Sequence, residues 1–154
     1  MHGSCLGRLA GYGAQLAVAC TVITSRLGDA AEQHHGLSAR RVLIVDDHFD
    51  TREIYGLLLR GSGYVVYEAA DGRSALDVVE HTRIDVAILD IGLPDMDGYQ
   101  VARRIRSDES HAGMVLIAVT GYGSPEDRER ARLAGFDRHL VKPITPDQFL
   151  GALE

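Results

Sequence analysis

A doubly wound, five-stranded parallel α/β sheet is the fold that residues 41–154 predict. Three observations carry this expectation. Short apolar runs, Val42–Val45, Val86–Leu89 and Val115–Val119, are rich in β-branched residues and read as strands buried on both faces. Each ends at a polar residue, Asp46, Asp90 or Thr120, where a buried strand reaches the surface. The 30 positions from Asp90 to Thr120 and the 22 from Thr120 to Lys142 each leave room for a crossover helix and a return strand.

The elements follow in order. Residues 1–40 differ in character, with Gly3, Gly7, Gly11 and Gly13 followed by a weakly apolar stretch and then Gln33-His34-His35-Gly36. Arg8 followed by Leu16–Ile23 loosely resembles a signal peptide with a poor cleavage site. The plainer expectation is a leader, disordered or a short helix, outside the domain of residues 41–154. The first strand, Val42–Val45, ends in Asp46-Asp47. Asp50 is expected to cap a helix with Ile54, Leu57 and Leu58 inward, ending at Gly61-Ser62-Gly63. Val65–Ala69 is the second strand, and Asp71-Gly72 turns into a helix with Ala75, Leu76 and Val79 inward. The third strand ends at Asp90, and its helix runs through Val101, Ala102 and Ile105. After the fourth strand, Ser124-Pro125-Glu126-Asp127 opens a helix with a Ser cap, a first-turn Pro and two acids. That helix ends near Gly135. His139–Val141 is a short fifth strand running into Lys142-Pro143. Thr145-Pro146-Asp147-Gln148 opens the last helix with a capping box, anchored by Phe149, Leu150 and Leu153.

Bulk properties bound the function. At 154 residues and 45% hydrophobic, the chain holds one core. Residues 41–154 carry 20 acids against 13 Arg and Lys, a net −7, which argues against nucleic acid as a direct partner. Both cysteines, Cys5 and Cys20, lie in the leader, which predicts no disulfide framework and a reducing, cytoplasmic setting. Leu16–Ile23 and Met114–Val119 are too short for a membrane span of about 20 residues.

In a sheet of this kind, ligands bind at the carboxyl ends of the strands. There the chain assembles Asp46, Asp47, Asp90, Thr120 and Lys142. Three converging carboxylates repel one another unless a cation joins them, and hard oxygen ligands select Mg²⁺. Lys142, the one lysine beside 15 arginines, offers a compact ammonium to a phosphoryl oxygen. Thr120 offers a hydroxyl. With the backbone N–H groups of the loop after Asp90, this is a phosphoryl clamp, in which Asp90 can act as the nucleophile.

The motifs VLIVDD, ILDIGLPDMDG, AVTGYG and HLVKPI, in this order, resemble the receiver domain of two-component response regulators. The resemblance covers residues 41–154 and implies a flavodoxin-like sheet of strand order 2-1-3-4-5 with helices on both faces. It implies Asp90 as phosphoacceptor and Mg²⁺ held by Asp47 directly, Asp46 more through water, Asp90 itself and the Gly92 carbonyl. Thr120 becomes the switch hydroxyl, and the Lys142–Pro143 peptide is expected to be cis. Partners are a sensor histidine kinase or histidine phosphotransfer protein, and a downstream protein reading the face of the fourth helix, fifth strand and fifth helix. Homodimerisation on phosphorylation is compatible with the family. Gly92 and Tyr122 stand where the family tunes hydrolysis of the phosphoryl group. The family's Tyr or Phe three residues before the lysine is replaced by His139.

The resemblance further implies a phosphoacceptor rather than an enzyme. Only 12 residues follow Lys142, so no output domain is expected and the chain reads as a stand-alone receiver or one detached from a hybrid kinase. Two other readings are an aspartate-nucleophile phosphatase of haloacid-dehalogenase type and a flavodoxin-like FMN carrier. The first needs Asp-x-Asp after the first strand, and the second needs a Ser/Thr/Gly phosphate loop where this chain has DDHFD. Plainer roles are expected elsewhere: Asp50, Asp71 and Asp97 as caps or turn residues, and Asp85 and Asp95 as solvated loop acids. His48, His81 and His111 read as surface residues, and a solvated His139 is the alternative to a switch.

Overall fold

Period-two burial organises the molecule. A computed structural model describes residues 39–154, and the leader up to residue 38, with its cysteines and the His34-His35 pair, lies outside them. The elements are β1 (Arg41–Val45), α1 (Phe49–Gly61), β2 (Val65–Ala69), α2 (Gly72–His81), β3 (Val86–Asp90) and α3 (Gly98–Arg106). A 3₁₀ turn (Glu109–His111), β4 (Val115–Thr120), α4 (Pro125–Ala134), β5 (Arg138–Val141) and α5 (Pro146–Gly151) complete them. All strand pairs are parallel, and the order is β2-β1-β3-β4-β5. The expected strand order and helix count both hold.

Alternate residues of the central strands face opposite cores. Leu43, Val45, Ala87, Leu89, Leu116 and Ala118 pack with α2, α3 and α4. Val42, Ile44, Val86, Ile88, Ile117 and Val119 pack with α1 and α5. Both faces are thus covered, as a wholly parallel sheet requires.

Most helix starts follow their caps. Asp71, Asp97 and Ser124 accept the N–H groups of Ser74, Gln100 and Asp127, and Thr145 with Gln148 forms the full capping box. Gly135, at φ 99°, closes α4 in the left-handed region, where a side chain would be strained. The start of α1 differs from expectation. Its N-cap is His48, which makes no side-chain cap bond, and Asp50 sits inside the first turn. Its buried residues are Gly56, Leu58 and Leu59, while Ile54 and Leu57 are exposed. Leu57 and Leu59 are about 200° apart on the helix, so only one of them can share the buried face with Leu58, and it is Leu59.

Two acids expected in solvent have structural work. Asp85 accepts the Arg41 N–H at 2.7 Å and ties the start of β1 to the loop before β3. Asp95 accepts the N–H groups of Gly72 and Arg73 at 2.8 and 2.9 Å, fastening the loop after β3 to the N-terminus of α2. Those backbone N–H groups hold the Asp95 carboxyl below the usual carboxylate range despite the opposing desolvation.

Candidate functional site

Among the described residues, the buried polar or charged side chains are Asp46, Asp90 and Thr120, at 3%, 8% and 5% exposure. All three stand at one edge of the sheet. The strand order reverses between β1 and β3, the position where this architecture opens a crevice beyond the strand ends. Asp46 follows β1 and Asp90 ends β3, so they flank that crevice.

Burying two carboxylates together is unfavourable without a compensating charge. Lys142 supplies it. Its Nζ donates to Asp46 Oδ2 at 3.0 Å and to Asp90 Oδ2 at 2.7 Å. Burial pulls the ammonium's pKa down, but the hydrogen bonds and charges of Asp90 and Asp46 outweigh it and hold the pKa above the ordinary lysine value. The backbone places Lys142 here, because its N–H donates to the Thr120 carbonyl at 2.8 Å beyond the β4–β5 ladder. The Lys142–Pro143 peptide is cis, as expected.

The loop after β3 folds back on the acceptor. Gly92 N–H donates to Asp90 Oδ1 at 3.0 Å, and Gly98 N–H donates to the Ile91 carbonyl at 3.0 Å. A Cβ at Gly98 would lie 2.5 Å from the Asp90 carbonyl oxygen, so glycine is needed there for close approach. Gly92 is different. It has no positive φ, and a Cβ would sit in ordinary contact, 3.8 Å from Asp90 Oδ1. Its glycine is therefore not a requirement of the loop's backbone.

The Thr120 hydroxyl accepts the Tyr122 N–H at 3.0 Å, and the Tyr122 side chain is 77% exposed. His139 pairs with Ala118 of β4, two residues before Thr120, and so lies on the Thr120 face of the sheet, beside α4. It is not a plain solvated histidine. Both ring nitrogens are buried without a hydrogen-bond partner, and desolvation, helped by Arg128 and opposed by Asp127, lowers its pKa. His81 is exposed and His111 half buried, both away from this edge.

The sequence missed two neighbours of the acids. Arg52 Nη1 on α1 donates to the Asp46 carbonyl at 2.6 Å. His48, although exposed as expected, turns Nδ1 to Asp47 Oδ1 at 2.8 Å and to Asp46 Oδ1 at 3.2 Å. For His48 the available signal was adjacency to the Asp pair; Arg52 had none. Ligand atoms of Asp46, Asp47 and His48 lie within 4.8 Å of one another. Hard carboxylate oxygens beside a fixed ammonium fit a divalent cation.

The comparisons agree with this geometry. Residues 42–154 match the profile of a family described as the response regulator receiver domain. The polar-differentiation response regulator DivK of Brucella anthropi is 30% identical over 115 residues, 75% of this chain and 94% of DivK. The chemotaxis response regulator CheY4 of Vibrio cholerae superposes with a TM-score of 0.73 at 33% identity, over 75% of this chain and 97% of that one. The receiver domain of the Pseudomonas aeruginosa sensor histidine kinase PA1611, solved with a magnesium ion in its active-site cleft, gives 0.69 at 32% identity, over 75% of this chain and 95% of that one. Other curated relatives are much longer, and the matched stretch is 13% of one and 41% of another. No helix among the described residues is long and apolar enough to cross a membrane.

Proposed function

The chain belongs to the response regulator receiver domain family, and from that premise we propose that Asp90 accepts a phosphoryl group with Mg²⁺ held beside it. Receiver domains of phosphorelay signalling work with histidine kinases or histidine phosphotransfer proteins, and either class is the proposed donor. The observation that carries the reading is the Lys142 ammonium held between Asp46 and Asp90 at the sheet's switch point.

A carboxylate oxygen of Asp90 attacks phosphorus, and the bond from phosphorus to the donor's imidazole nitrogen breaks. Lys142 stays within reach of the developing negative charge, and Thr120 turns its hydroxyl toward a phosphoryl oxygen, leaving the Tyr122 N–H. Asp46, Asp47, Asp90 and the Gly92 carbonyl would hold Mg²⁺, which when bound supplies charge neutralisation to the transferred group. The face of α4, β5 and α5 is the proposed output surface, with His139 beneath it and homodimerisation as one way to use it. The reading carries with it a cytoplasmic location and no direct contact with nucleic acid or membrane.

The test is intact mass after incubation with Mg²⁺ and a small-molecule phosphodonor. Wild type should gain one phosphoryl group and Asp90→Asn none; equal labelling of both overturns the assignment. Lifetime follows from the same site. Gly92 leaves a water unheld and has room for a side chain, so Gly92→Asn/Tyr122→Glu should lose the phosphoryl group faster than wild type. Equal decay removes the tuning role.

A further inference from the structure

His48 occupies the N-cap of α1 at φ −81° and ψ 113°, yet its side chain makes no cap bond. The imidazole is 70% exposed, so packing does not dictate its direction. It turns instead to the crevice, with Nδ1 2.8 Å from Asp47 Oδ1 and 3.2 Å from Asp46 Oδ1. These separations have a geometric meaning. Two ligands each about 2.1 Å from one ion, in adjacent octahedral positions, lie about 3.0 Å apart. Lys142 occupies the opposite side through Asp46 Oδ2 and Asp90 Oδ2. Asp46 Oδ1 also accepts the His48 backbone N–H at 2.9 Å, so a cation that replaces its contact with Nδ1 would meet the second lone pair.

We propose that His48 is a nitrogen ligand of the metal crevice, so that the site takes borderline cations such as Zn²⁺ and Co²⁺ through mixed nitrogen and oxygen donors. Mg²⁺, which prefers oxygen, binds there through the carboxylates and the Gly92 carbonyl, without His48. A bound borderline cation takes the Nδ1 lone pair of the neutral imidazole, in the tautomer whose single N–H is on Nε2. The inference rests on the metal-assisted reading above and concerns which ions that site selects. Its consequence is a receiver whose metal occupancy depends on the supply of transition metals as well as Mg²⁺.

The experiment compares the full wild-type chain with His48→Ala, His48→Phe and Asp47→Asn, after circular dichroism shows all four folded. Proton spectra with Co²⁺ should show a hyperfine-shifted imidazole N–H resonance in wild type that both His48 variants lack. Calorimetric Zn²⁺ affinity should fall at least ~10-fold in the His48 variants, while Mg²⁺ affinity moves less than about twofold. Asp47→Asn sets the baseline for ions bound elsewhere on the chain. No shifted resonance, or unchanged Zn²⁺ affinity in the His48 variants while Asp47→Asn weakens both ions, overturns the ligand role and leaves the crevice reading intact. If Asp47→Asn binds both ions like wild type, the crevice reading falls and the inference falls with it.

Discussion

His139 shows how one buried residue ties stability to pH. Its ring nitrogens are buried without a hydrogen-bond partner on the face that Thr120 shares, and burial lowers its pKa. A histidine whose folded pKa is depressed contributes stability that is present above the unfolded value of about 6.5 and is lost as pH falls through the folded value. Stability should therefore decline in mild acid, and His139→Phe should flatten that decline while other titrating groups stay unchanged. Chemical denaturation from pH 7.5 to 5 checks this; parallel profiles for the two proteins would contradict it. At this scale the sequence was legible where a buried strand reaches the surface, as at Asp46, Asp90 and Thr120; Lys142, which follows the half-buried β5, was legible from its place before Pro143. It read Asp95 and Asp85 as solvated loop acids and missed their backbone partners, because the partner of a loop acid depends on which N–H groups the tertiary fold brings near.

Among the elements, α5 carries the clearest energetic argument. Six residues are too few for a helix to persist alone. Phe149 is wholly buried and stacks on Tyr55 of α1 with ring centroids 4.2 Å apart. Arg138 and Arg40 donate to the carbonyls of Ala152 and Leu153 just past its end. Phe149→Ala should cost about 3–5 kcal/mol, and Thr145→Ala, which removes the cap, about 1 kcal/mol. Urea midpoints of the two variants check the ranking; equal losses would mean that capping, not packing, holds α5. The caps of four helices were readable because Asp, Ser and Thr stood directly before Gly or Pro. The face of α1 was not, because three consecutive leucines, Leu57 to Leu59, cover about 200° of a helix and periodicity alone does not choose among them. Packing decides it: Leu58 and Leu59 join the core formed with β1, β3 and α5.

Over the whole molecule, the fold was legible because a parallel sheet covered on both faces demands continuous apolar strands, and few residues deviate from that demand. Asp46, Asp47 and Asp90 converge at one sheet edge, and the Lys142 ammonium bonds two of them, so an added cation should stabilise the folded state. At a hundredfold excess over its Kd, Mg²⁺ should add about 2.7 kcal/mol to wild type, raising the melting temperature, and much less to Asp47→Ala. An equal rise in both would place the ion elsewhere. The central claim is that Asp90 carries the phosphoryl group, and borohydride reduction tests it most directly, since it converts an aspartyl phosphate to homoserine. After phosphorylation, reduction and proteolysis, peptide sequencing by mass spectrometry should find homoserine at position 90 and unmodified aspartate at 46 and 47. Homoserine at either of those two positions, or at none of the three after demonstrated phosphorylation, would contradict the account.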